Sequence, residues 1–189
     1  MATTSFVYKV CIVGDAGVGK TSVVVRWSQG WFRQAYMSTV GVQHYSRTID
    51  VESKDGNVGV KLIIWDLAGD DSFKELRPNF YDGAMGLVIM FDLTRADTFK
   101  SLPNWIQEAV RFIRRRVPLI VVGNKADLQP YVIDQSMAER YATGIGSRFI
   151  ATSAKTGSNV ADLFEQVGML IHEKSQSEAV RAGRRKGIE

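Results

Sequence analysis

The sequence predicts an α/β fold: a mostly parallel sheet covered on both faces, with one antiparallel edge strand. Two observations carry this. Short apolar, β-branched runs alternate along the chain with longer segments of helical periodicity. One pair of strand-like runs is joined by Lys54-Asp55-Gly56-Asn57, where Asp-Gly supplies the positive φ of a tight hairpin.

In chain order, Phe6–Val13 reads as a strand and Gly19–Gln29 as a helix. Val40–Glu52 and Val58–Asp66 form the hairpin pair. A polar loop and a short helix lead to about Tyr81, and Gly86–Asp92 follows as a continuous apolar strand. Leu102, Trp105, Ile106, Ala109, Val110 and Ile113 then recur at three-and-four spacing, so one helical stripe is expected to be buried. Val117–Gly123 is another apolar strand, a thinner helix surrounds Asp134–Thr143, and Arg148–Ala151 is a last short strand. The final helix has the cleanest stripe: Val160, Leu163, Phe164, Val167, Leu170 and Ile171. His172, just beyond it, is expected to be exposed near the helix end. Cys11, between Val10 and Ile12 in mid-strand, reads as a buried, inert thiol.

Composition bounds the function. The 189 residues make one domain, and 45% hydrophobic against 23% charged residues excludes a mainly disordered chain. A single cysteine rules out an intramolecular disulfide, no apolar run approaches the ~18 residues of a membrane span, and the N-terminus lacks a signal-peptide pattern. A cytoplasmic protein is expected. The net charge is +4, with one basic cluster at Arg111, Arg114, Arg115 and Arg116 and another at Arg181, Arg184, Arg185 and Lys186. The first suits a helix C-terminus. The second belongs to a polar tail, 175–189, beyond a domain of residues 1–174. No aromatic residue interleaves with either cluster, so nucleic acid is not an expected partner.

In a parallel sheet, ligands bind beyond the carboxyl ends of the strands, so chemistry is sought in the loops that follow them. Directly after the first strand stands Gly14-Asp15-Ala16-Gly17-Val18-Gly19-Lys20-Thr21, matching G-x-x-x-x-G-K-[ST] between a strand and a helix. Backbone N–H groups of such a P-loop point at phosphate oxygens, and the helix N-terminus adds its partial positive charge. Lys20 is placed for the β- and γ-phosphates and Thr21 for Mg²⁺. After the third strand, Asp66-Leu67-Ala68-Gly69 puts a carboxylate across the site and a backbone N–H near a γ-phosphate. Asn124-Lys125-Ala126-Asp127 follows another strand. Guanine presents adjacent N1–H and N2–H₂ donors that one carboxylate accepts together; adenine offers no such pair, so Asp127 is the candidate for selecting guanine. Asn124 would tie this loop to the P-loop, the Lys125 stem would cover the base, and Ala154 of Thr152-Ser153-Ala154-Lys155 would offer its N–H to guanine O6.

Gly14–Thr21, Asp66–Gly69, Asn124–Asp127 and Ser153–Lys155 together resemble the Ras superfamily of small GTPases over about residues 5–174. Tyr36–Val42, Lys61–Asp66, Phe80–Ala84 and Phe91–Thr94 resemble its Rab branch. The resemblance implies a P-loop NTPase fold with a six-stranded sheet and five helices, a GTP/GDP cycle with Mg²⁺, and a role in vesicle trafficking or signalling. It places Thr39 on Mg²⁺ and the γ-phosphate, Phe32 against the base and Tyr36 over the phosphates. Nucleotide contacts are then expected from Asp15, Ala16, Gly17, Val18, Gly19, Lys20, Thr21, Ser22, Phe32, Tyr36, Thr39, Gly69, Asn124, Lys125, Asp127, Leu128, Ser153, Ala154 and Lys155. Thr21, Thr39 and Asp66 form the metal set; Asp70, Lys20, Gly69 and Thr39 form the catalytic set. Effectors are expected at the switch segments, together with an exchange factor and an activating protein, on a monomer.

Four departures stand out. Asp70 replaces the glutamine that orients the attacking water, and Ala16 replaces a common glycine, crowding a partner's arginine finger; slow hydrolysis is expected, with Asp70 as a general base the alternative. A nucleotide-locked, non-enzymatic scaffold is the rival reading. His44, Trp65 and Phe80 stand where Rab proteins commonly carry three aromatics, so partner choice is not inherited. The chain ends Arg184-Arg185-Lys186-Gly187-Ile188-Glu189 without cysteine, so no lipid anchor is expected, only weak membrane-surface contact by the basic tail.

Overall fold

The computed structural model describes residues 4–32, 37–53 and 56–186. Its strands are β1 (Thr4–Val13), β2 (Val42–Ser53), β3 (Gly56–Leu67), β4 (Gly86–Asp92), β5 (Leu119–Asn124) and β6 (Arg148–Ala151). They form one six-stranded sheet in the order β2-β3-β1-β4-β5-β6. Only β2 runs antiparallel, in register from Val42 opposite Leu67 to Ser53 opposite Gly56; the other ladders are parallel. Gly56 carries the positive φ foreseen for the hairpin turn, 109°, while Lys54 and Asp55 lie outside the described residues.

Helices cover both faces: α1 (Lys20–Gln29), α2 (Pro78–Tyr81), α3 (Ala96–Lys100), α4 (Leu102–Ile113), α5 (Gln135–Gly144) and α6 (Val160–Lys186). A 3₁₀ turn, Asp71–Phe73, precedes α2. α3 and α4 fill the place of one expected helix, broken at Ser101 because Pro103 has no N–H to continue the ladder.

The two faces come from the two-residue period of the strands. On β1, Tyr8, Val10 and Ile12 join the core beneath α1 and α6, where Val23, Val24, Trp27, Leu163 and Phe164 pack. Cys11 and Val13 point into the other core, with Leu102, Trp105, Ala109 and Ile113 of α4 and Ala138 and Ala142 of α5. The Cys11 thiol is buried and pushed up to about 12 by desolvation, as expected of an inert group.

Two expectations are corrected. Val110 is 61% exposed, because it sits one residue from Ala109 and so about 100° around the helix from the buried face. His172 is buried: its Nδ1 lies 2.9 Å from the Tyr8 hydroxyl, and the Phe6 ring meets it edge-on at 4.7 Å. Gly168, one turn earlier, lets β2 approach so closely that a Cβ there would meet Ile49 Cδ1 at 2.6 Å, so α6 stays against the sheet past its apolar stripe. α6 then continues through Lys186, with residues 176–181 exposed. No described helix is long and apolar enough to cross a membrane.

Candidate functional site

The loops after β1, β3, β5 and β6 gather at the carboxyl end of the sheet, around the point where connections from β1 diverge. They enclose a cavity of about 590 Å³, within the ordinary range for a small-molecule site. Its wall includes Ala16, Gly17, Gly19, Lys20, Thr21, Ser22, Phe32, Thr39, Gly69, Asp70, Asn124, Lys125, Asp127, Leu128, Ala154 and Lys155.

At the phosphate end, Lys20 is buried and its Nζ donates to the carbonyls of Gly14 at 2.6 Å and Asp15 at 3.0 Å. Desolvation lowers its pKa to about 8, against the opposing pull of Asp66 and Asp15. Asp66, also buried, is pushed up to about 6 by desolvation, despite the Thr21 hydroxyl that donates to its Oδ2 at 2.5 Å. Thr39 Oγ1 lies 2.6 Å from Thr21 Oγ1. The remaining Asp66 oxygen, Oδ1, is buried without a hydrogen-bond partner. One carboxylate and two hydroxyls, all hard oxygens, fit Mg²⁺, a cation that keeps waters and shares its ligands with phosphate. Gly69 closes this end; a Cβ there would collide with the Gly14 carbonyl and come within 2.6 Å of the Ala16 amide nitrogen.

At the far end, Asn124 Nδ2 donates to the Val18 carbonyl at 2.9 Å, tying the β5 loop to the P-loop as anticipated. Asn124 Oδ1 accepts from Thr152 Oγ1 at 3.1 Å and from the Ala154 N–H at 3.3 Å, so three loops share one amide. Ser153 Oγ donates to Asp127 Oδ1 at 2.6 Å and fixes that half-buried carboxylate on the cavity wall. Lys125 has a φ of 67° and pairs its ammonium with Asp92 at 2.6 Å, which anchors the stem along the cavity.

Several foreseen residues act from behind the wall. Asp15 turns its carboxylate to Trp105, the Val18 side chain is in the core, and Ser153 and Asp66 support wall residues. Tyr36 lies outside the described residues. Asp70 is exposed, and its Oδ1 accepts from the Ser72 N–H at 2.9 Å and the Ser72 hydroxyl at 2.6 Å. These bonds cap the 3₁₀ turn and hold the carboxyl below the usual carboxylate range.

Val25, Gln29, Trp31, Met37, Ser38, Gln43 and Tyr45 also line the cavity and were not anticipated. Trp31, an exposed indole beside Phe32, was the readable signal. Arg77 was missed as well: it is buried, donates to both Glu108 oxygens at 2.8 and 3.0 Å, and reaches the Asp70 carbonyl from Nη1 at 3.1 Å. On the outer face of the β2–β3 pair, His44 meets Trp65 edge-on at 4.0 Å, Phe80 lies 6.0 Å beyond, and Lys9 Nζ sits 3.7 Å over the Trp65 ring.

The sequence model of the Ras family matches residues 9–173, nearly all of the chain that builds this site. The chain belongs to the Ras family. It is also 35% identical over 170 residues to the GTP-binding protein ypt1 of Schizosaccharomyces pombe, an alignment that spans 89% of this chain and 82% of ypt1. It is accordingly a Rab-like, GTP-binding small GTPase of the P-loop fold.

Proposed function

We propose that this small GTPase is a Mg²⁺-dependent switch that hydrolyses GTP to GDP and phosphate slowly, because Asp70 stands where an amide would orient water. The domain responsible is residues 1–174, with 175–189 a basic polar extension. The observation that carries the guanine assignment is the Ser153–Asp127 bond of 2.6 Å, which fixes a carboxyl acceptor on the cavity wall. Asp127 accepts from guanine N1–H and N2–H₂, and the Ala154 N–H exchanges its long bond to Asn124 for one to O6. Phe32, Lys125 and Leu128 cover the base, and Lys155 closes its edge.

At the other end, Lys20 donates to the β- and γ-phosphates, and its depressed pKa reflects a cation kept from water until phosphate arrives. Thr21, Thr39 and Asp66 would hold Mg²⁺, whose charge, when bound, draws electron density from the phosphate oxygens. The backbone N–H of Gly69 meets the γ-phosphate. Loss of that phosphate frees Thr39 and Gly69 and so releases residues 37–42 and 66–80, which gives the switch. Tyr36 belongs to the same segment. Effectors and an exchange factor recognise these segments with the His44–Trp65–Phe80 cluster, on a cytoplasmic monomer.

The Ser72 bonds to Asp70 favour slow turnover, since a carboxylate so engaged is a weak base and donates nothing to water. Freshly purified, denatured protein should release GDP or GTP on chromatography; adenine nucleotide would refute the base assignment. Phosphate release over hours, beyond one equivalent, separates a slow enzyme from a nucleotide-locked binding module.

A further inference from the structure

Arg95 stands in the turn between β4 and α3, outside the P-loop and the base-binding motifs in sequence. Its backbone is fixed: the Arg95 N–H donates to the Asp92 carbonyl at 3.0 Å, and Thr98 Oγ1 donates to the Arg95 carbonyl at 2.7 Å. From there the side chain reaches the P-loop. Nη1 donates to the Ala16 carbonyl at 3.2 Å, while Nη2 donates to Asp97 Oδ2 at 2.6 Å. Ala16 forms the cavity wall together with Gly17, Gly69 and Asp70, so a permanent cation stands against the backbone of one wall residue, outside the lining itself.

We infer that Arg95 is a built-in catalytic arginine, which leaves Asp97 and donates to the γ-phosphate oxygens as GTP is cleaved. This rests on the GTPase reading above. Both present holds are easily surrendered: the Arg95 and Asp97 side chains are 43% and 65% exposed, and ion pairs that wet are weak. Of the neighbouring cations, one already serves the phosphates from the floor and the other is held away from them. Lys20 is fixed on the floor by two carbonyls, and Arg77 is forked by Glu108. Meanwhile Asp70 adds negative charge where it accumulates, and the Ala16 methyl narrows the approach for an arginine from outside. An arginine already hydrogen-bonded to the Ala16 carbonyl needs only to swing from its present hold, with no partner protein to bring it.

In the step, the water oxygen bonds to the γ-phosphorus as the bond from that phosphorus to the β–γ bridging oxygen breaks. The electron pair of the broken bond stays on GDP, and one water proton passes to the departing phosphate oxygens or solvent. Arg95 forms no covalent bond; its N–H groups meet the oxygens on which charge grows.

Single-turnover cleavage of bound GTP tests this with R95A, R95K and D97N. R95A should slow cleavage by about tenfold or more, and R95K should recover only part, because an ammonium lacks the planar fork. D97N should speed cleavage by freeing the guanidinium. As a readout apart from turnover, ¹⁹F NMR should show wild type trapping fluoroaluminate beside GDP without a partner protein, and R95A failing to. Cleavage by R95A at the wild-type rate, slowing by R95A and D97N alike, or no trap in wild type would each overturn the inference; equal slowing would make the pair a mere brace of the loop. The affinity for a fluorescent GDP should be unchanged by these substitutions. If wild type binds no guanine nucleotide, the functional reading fails instead.

Discussion

The indole Nε1–H of Trp105 donates to the Asp15 carboxylate at 2.6 Å, joining α4 to the phosphate loop across ninety positions of sequence. The face of the same ring carries the Arg77 guanidinium at 4.5 Å. Trp105 therefore holds the P-loop with its edge and the end of the second switch segment with its face. Trp105→Phe keeps most of the packing and removes the donor. It should lower stability by about 1–3 kcal/mol, the cost of a charge-assisted bond to a half-buried carboxylate. Urea denaturation of nucleotide-free protein measures this; an unchanged midpoint would show that water replaces the indole at no cost.

Arg77 is the second member of that brace, paired with Glu108, which also accepts from the Tyr81 hydroxyl at 2.9 Å. Both side chains are largely buried, so removing one partner strands the other. Arg77→Met should cost about 3–5 kcal/mol, and adding Glu108→Gln should restore part of it. A double-mutant cycle from denaturation curves gives the coupling. Additive losses would contradict a shared network.

Asp70→Gln exchanges a pure acceptor for an amide that both accepts and donates, and GTP cleavage in a single turnover should accelerate. In the wild-type chain the Ser72 bonds hold the Asp70 carboxyl below the usual carboxylate range, so it is ionised throughout the neutral range. Its rate should therefore show no inflection from this group between pH 5 and 8. A rate that climbs with pH across that span, or a mutant no faster than wild type, would speak for Asp70 as base.

The phosphate end carries two opposed titrations. Burial raises Asp66 to about 6, so its protonated form is favoured by folding; that stability is full at low pH and is lost as pH rises through 6. Burial lowers Lys20 to about 8, so its contribution is full at high pH and is lost as pH falls through 8. Nucleotide-free protein should thus carry both penalties between pH 6 and 8, where bound phosphate and cation relieve them. Asp66→Asn should gain on wild type in melting temperature as pH rises from 5 to 7, nucleotide-free. A constant difference between the two would mean that the site is wetter than the structure indicates.

Strands and site loops were legible because their signals are local. The β-branched runs of β1, β4 and β5 are apolar on both faces, and each motif directly follows a strand. What escaped depends on pairs distant in the chain. Nothing near Trp105 in sequence names Asp15 as its partner, although a buried indole N–H always needs one. His172 looked exposed because its burial is set by Phe6 and Tyr8 on another element, and the Arg95 contact with Ala16 spans 79 positions. Asp70 was readable as a substitution, but its capping of Ser72 was a matter of side-chain direction.

In the proposed function the Asp127 carboxylate, steadied by Ser153, chooses the base. Asp127→Asn offers one acceptor and one donor in place of two acceptors, a pattern that suits the N1–H and O2 of xanthine. Competition binding of GDP against xanthosine diphosphate should show GDP affinity falling by about a hundredfold or more in this variant, because one bond loses its charge and a donor now faces N2–H₂, while the folded circular dichroism spectrum persists and the xanthine nucleotide gains. A folded variant that still prefers GDP as strongly as wild type does would contradict the account.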